Sequence, residues 1–67
     1  MTKTAFWYGR QYAKHMARTE GCSEPVDINE MVNSSMDMPE GDYLEMKQKG
    51  IMPDARQYWK GYNSYFE

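Results

Sequence analysis

The residues best suited to chemistry in this 67-residue chain are few, and their spacing limits what they can do. Cys22 and His15 stand seven positions apart with Gly21 between them, so a nucleophile and its base would have to meet through the tertiary fold rather than a local motif. One cysteine and one histidine cannot complete a structural zinc site, and a single thiol closes no internal disulfide. Asp37, Glu40, Asp42 and Glu45 lack the spacing and the glycine position of a calcium-binding loop. Met36 and Met38 offer soft ligands of the kind copper takes, but two thioethers are an incomplete set. No glycine-rich phosphate loop is present, and a chain this short encloses little volume for an active site. A non-enzymatic protein with neither cofactor nor metal is expected.

Residues suited to binding are better represented. Projected at 100° per residue, Trp7 points away from the small side chains of its segment and shares a side with Lys14 and Arg18, close to Arg10 and Gln11. An aromatic ring among cations has the composition of a hot spot, for protein or for a nucleic-acid base. The structural alternative is cover by the acidic middle of the chain or by a second copy. Tyr58 and Tyr65 fall at the edge of an apolar stripe, where rings with a polar tip favour interfaces. The partner-binding residues predicted are therefore Trp7, Arg10, Lys14, Arg18, Tyr58 and Tyr65, joined by Arg56 and Lys60 if the partner is a nucleic acid. Glu40, Asp42 and Glu45 make an alternative, acidic surface. Met31, Met36, Met38, Met46 and Met52 either fill an irregular core or form an adaptable surface.

These side chains must be held by helices. From Thr4 to Arg18 the residues Ala5, Tyr8, Gly9, Tyr12, Ala13 and Met16 gather on one side, and Gly21 follows as a stop. Within that side Ala5, Gly9, Ala13 and Ala17 recur every fourth residue, a row of small side chains that lets another helix come close. Asp27 and Glu30 resemble a capping box ahead of a short helix from about Ile28 to Asn33. Pro39 suits the first turn of a third helix that runs through Leu44 and Met46 to Gly50. Pro53 and Asp54 open the last helix, where Ala55, Trp59, Tyr62 and Phe66 form the stripe and Arg56, Lys60, Asn63 and Ser64 the opposite side. The prediction is an all-α single domain over residues 1–67, of three to four helices, with the first and last as the long pair packed together.

Charge and length refine the class of function. The net charge of −2 conceals +3 over residues 1–21, −7 over 22–46, where no Lys or Arg occurs, and +2 over 47–67. Two basic, aromatic ends flank an acidic middle, which neutralises them within about one Debye length if the ends pack together. A core this small supplies only about 3 to 5 kcal/mol, so tight helix packing, a homodimer through the small-residue row, or a larger partner is expected to add to it. No run approaches the roughly 20 apolar residues of a membrane span, no secretory signal is legible, and a lone thiol fits a reducing compartment. A cytoplasmic location is expected.

Gly9-Arg10, Ala13, Ala17-Arg18, Cys22 and Pro25, followed by Tyr58-Trp59-Lys60-Gly61-Tyr62 and Tyr65, resemble the bipartite pattern of the ribosome modulation factor family. That resemblance implies paired helices and binding to ribosomal RNA. The chain departs from the pattern in its separated Cys22 and Pro25, in the acidic segment between the two halves and in its net negative charge. The function expected first is modulation or inhibition of a larger macromolecular machine by stoichiometric protein-protein contact. Its composition is similar to that of small accessory inhibitors made by phages and other mobile elements. The alternatives are a ribosome- or RNA-binding factor and a self-assembling structural component.

Overall fold

The computed structural model describes residues 3–21, 24–33 and 38–67. It holds four helices, α1 (Ala5–Thr19), α2 (Ile28–Asn33), α3 (Glu40–Gln48) and α4 (Ala55–Tyr65), and the described residues form no strand. The readings that involve Cys22, Met36 and Asp37 lie outside the described residues.

Each helix end follows from its sequence. The Thr4 hydroxyl accepts the Trp7 N–H at 3.4 Å at the start of α1, and Gly21 follows the last turn at φ +68°. Asp27 accepts the backbone N–H groups of Asn29 and Glu30 at 3.0 and 3.3 Å, satisfying donors at the start of α2. Pro39 stands just before α3 rather than inside its first turn. At the other end Ile51 N–H reaches Met46 C=O at 2.8 Å and Gly50 N–H reaches Lys47 C=O at 3.3 Å. This pair of bonds turns the chain through a residue at φ +74°, the conformation glycine adopts most easily. Asp54 caps α4 by accepting the Gln57 N–H at 3.2 Å.

The first and last helices form the principal interface, and α2 lies against α4. Glycine sets how close the long pair comes. A Cβ added at Gly9 would lie 1.7 Å from the carbonyl oxygen of Tyr58, and one added at Gly61 would lie 1.9 Å from that of Phe6. The two helices therefore touch backbone to backbone at two points. The start of α1 (Lys3 to Phe6) lines a groove with Asp54 and Gln57 at the start of α4, and Arg10 further along α1 reaches Ser64 further along α4, so the helices cross with their N-terminal ends on the same side. Ala5, Gly9 and Ala13 of the small-residue row are buried within the chain, and Ala17 is partly exposed.

Around this seam Ala5, Tyr8, Ala13, Met38, Met46, Tyr58, Trp59 and Tyr62 are buried. The ring of Tyr12 lies 6.2, 6.3 and 5.8 Å from those of Tyr58, Trp59 and Tyr62. Most of these pairs are tilted or edge-on, the orientations that ring quadrupoles favour. Trp59 and Tyr62 are core, as expected from the stripe, while Phe66 is only partly buried beside Tyr62 and Tyr65.

Candidate functional site

Tyr58 lies in the core rather than at an exposed edge of α4. Its side chain is fully buried, and its hydroxyl donates to Asp42 Oδ2 at 2.6 Å, tying α4 to α3. The stripe drawn through Trp59 and Phe66 leaves Tyr58 at its edge because Gly61 carries no hydrophobic signal. The close approach at Gly61 turns α4 so that Tyr58 faces inward.

The same contact changes the standing of the acidic surface. Asp42 is an acceptor for the core rather than a free carboxylate, and Glu45 pairs with Lys49 at 3.7 Å within α3. Glu45 also faces Tyr8. The hydroxyl of Tyr8 is buried and closes no hydrogen bond of good geometry, yet it lies near enough for each group to move the other. The nearby Glu45 carboxylate, ahead of burial, pushes the Tyr8 phenol up to about 12. The Tyr8 hydroxyl, ahead of Lys49 and Lys3, holds the Glu45 carboxyl below its ordinary range. Of the three acids, Glu40 alone has no such tie to the core or to a lysine among the described residues.

The basic face of α1 has a different form. Arg10 sits at the seam, where its Nη1 donates to Ser64 Oγ at 3.2 Å and its guanidinium lies 5.9 Å from the centre of the Tyr65 ring. Ser64 is itself fixed, since its hydroxyl donates to Gly61 C=O at 2.7 Å. Lys14 and Arg18 continue outward from Arg10 along α1. Both are exposed, and neither has a hydrogen bond or ion pair with the described residues. Trp7 is half-covered rather than free: its ring meets Tyr8 edge-on at 5.0 Å, and Lys3 Nζ stands 4.6 Å from its centre. The structure thus brings Arg10 and Tyr65 together, extends them with Lys14 and Arg18, sets Trp7 at the N-terminal end of the same helix and separates Tyr58 from all of them. Arg56 lies elsewhere, donating to Asn29 Oδ1 at 3.4 Å, and Lys60 is exposed on α4.

Two residues expected on the outer side of α4 have positioning roles. Asn63 accepts the Val26 N–H at 2.8 Å and donates to Val26 C=O at 3.0 Å, clamping the segment that leads into α2 onto α4. Ser64 orients Arg10. Their polarity places them outside by pattern alone; a side-chain amide that can satisfy both backbone groups of one residue is the feature that marks Asn63.

Elsewhere, Phe6, Leu44 and Met52 are exposed at 39%, 50% and 80%. Ala5, Phe6, Ile51 and Met52, with Lys3 and Asp54 on the rim, line an open apolar groove of about 450 Å³. Among the described residues no cluster of His, Cys, Asp or Glu has the makings of a metal site, and no helix is long and apolar enough to cross a membrane. No protein-family model, curated protein or solved structure matches the chain. Of the residues that resemble the ribosome modulation factor pattern, Gly9, Ala13, Tyr58, Trp59, Gly61 and Tyr62 are buried, whereas Arg10, Arg18, Pro25 and Lys60 are exposed.

Proposed function

We propose that this chain is a binding protein without catalytic activity, which modulates or inhibits a larger protein assembly by stoichiometric contact through the outward face of α1. The observation that carries this reading is the contrast along that helix. Arg10 is held in place by Ser64 and Tyr65, while Lys14 and Arg18 extend from it with no partner among the described residues. A fixed arginine followed by free cations suits an acidic partner, since a preorganised guanidinium loses less freedom on binding than a mobile one.

A protein is favoured over RNA as that partner. Single-stranded nucleic acid binds through cations together with open ring faces on which bases stack. Here Lys3 covers Trp7, Arg10 stands by Tyr65, and Tyr58 is buried. RNA binding remains the competing outcome of the test. Capture of partners from a cell lysate by the tagged chain, with and without nuclease and across a salt series, is expected to retain a protein at fixed stoichiometry after nuclease treatment. Loss of all capture on nuclease treatment would replace this reading with the RNA-binding one.

A further inference from the structure

The outward face of α1 has a spacing as well as a charge. Arg10, Lys14 and Arg18 follow one another at four-residue intervals, which on a helix rising about 1.5 Å per residue sets successive cations about 6 Å apart along the axis. Such a row is one of the ridges by which helices seat against each other, and it is inclined to the helix axis. A second helix crosses it with a four-residue row of its own. Arg10 fixes one end: Nη1 is given to Ser64, and the rest of the guanidinium fork is left to meet a carboxylate in the paired geometry that arginine favours. All three residues are exposed.

Resting on the binding reading above, we infer that the α1 face docks an acidic helix of a partner protein whose Asp or Glu residues recur every fourth position. The charges are complementary, and the partner's own helical rise supplies the matching interval. Acids without that period meet the cations only one or two at a time. A nucleic acid would offer phosphates to the same cations but find the neighbouring rings engaged.

The test uses the full chain with three probes at low ionic strength, followed by chemical-shift perturbation. The first is a capped helical peptide with glutamates every fourth residue on one face. The second has the same composition with its glutamates permuted out of that period, and the third is a single-stranded RNA of equal charge. The periodic peptide is expected to shift the amides of α1 and to bind at least about fivefold more tightly than the permuted one, as a few exposed ion pairs allow. Lys14→Glu combined with Arg18→Glu should erase that difference, and Lys60→Glu on α4 should leave it. Equal affinity for the two peptides, no binding of either, or tighter binding of RNA overturns the inference.

Its failure is distinguishable from failure of the binding reading. If the peptides are not discriminated while Lys14→Glu still abolishes capture of the cellular protein, the face is right and the acidic helix is wrong. If capture survives the charge reversals, the face itself is wrong.

Discussion

Helix α4 meets α1 backbone to backbone, whereas α3 reaches the same core through side chains. At the first contact Gly9 and Gly61 each stand where a Cβ would collide with the opposing carbonyl. At the second, Met46 is fully buried, Asp42 accepts the Tyr58 hydroxyl, and Glu45 faces Tyr8, while Gly41 has open space around the position of a Cβ. Backbone atoms cannot rotate out of the way as side chains can. The seam is therefore intolerant of any added atom, and the attachment of α3 is graded, weakening contact by contact.

The largest expected effect lies at the seam. Gly9→Ala or Gly61→Ala gains about 1 kcal/mol of helix propensity but forces the helices apart, at a cost of at least about 3 kcal/mol. In a domain of this size that is most of the available stability. Chemical denaturation or circular dichroism of either variant is expected to show a largely unfolded chain; a native-like melting curve would remove the backbone contact as the organising feature.

At α3, Met46→Ala should cost about 2 to 4 kcal/mol, the usual range for emptying a buried site, and leave the α1–α4 pair folded. Wholesale unfolding would mean that the two regions are not energetically distinct. Tyr58→Phe keeps the ring and loses the bond to Asp42. That carboxylate is partly exposed and can turn to water, so the expected cost is about 1 to 2 kcal/mol.

Alkaline pH provides a check on α3 that needs no substitution. Tyr8 is raised from 10.0 to about 12, first by the Glu45 carboxylate and then by burial, and Tyr58 is raised chiefly by burial. A phenol whose folded pKa exceeds its unfolded one holds its proton more tightly when folded. Its stabilisation is complete below about pH 10 and is lost as the pH climbs toward 12. Denaturation midpoints are expected to be level through pH 9 and to fall above pH 10. In Tyr8→Phe the fall should be shallower, and an unchanged slope would detach Tyr8 from it. The smallest effect is Gly41→Ala, expected to stabilise by less than about 1 kcal/mol because nothing opposes the new methyl group.

Much of the seam was legible in the sequence. Ala5, Tyr8, Gly9 and Ala13 share a helical face, and the row of small residues marks the surface that admits another helix. The counterpart on α4 was hidden, because Gly61 has no side chain to enter a hydrophobic pattern; the stripe was centred toward Phe66 and left Tyr58 outside. Its one visible trace is a glycine retained in mid-helix despite the cost. Helix α3 was legible as a helix but not in its orientation, since Leu44 and Tyr43 lie outward while Met46 lies inward. The bond that orients it, Tyr58 to Asp42, and the Asn63 to Val26 pair that seats α2 join residues distant in sequence, and no local period encodes them. At the candidate site, Arg10, Lys14 and Arg18 could be read from helical spacing alone. The fixing of Arg10 by Ser64 and Tyr65 could not, because it depends on how α4 crosses α1.

The seam and the outward face of α1 belong to one helix, with stability on one side and proposed recognition on the other. Titration of the captured partner protein against the wild type and the Lys14→Glu, Arg18→Glu double variant, with melting curves of both chains, tests that division most directly. The expected result is an affinity at least about tenfold lower with an unchanged melting temperature. Equal affinities for two equally stable chains would contradict it.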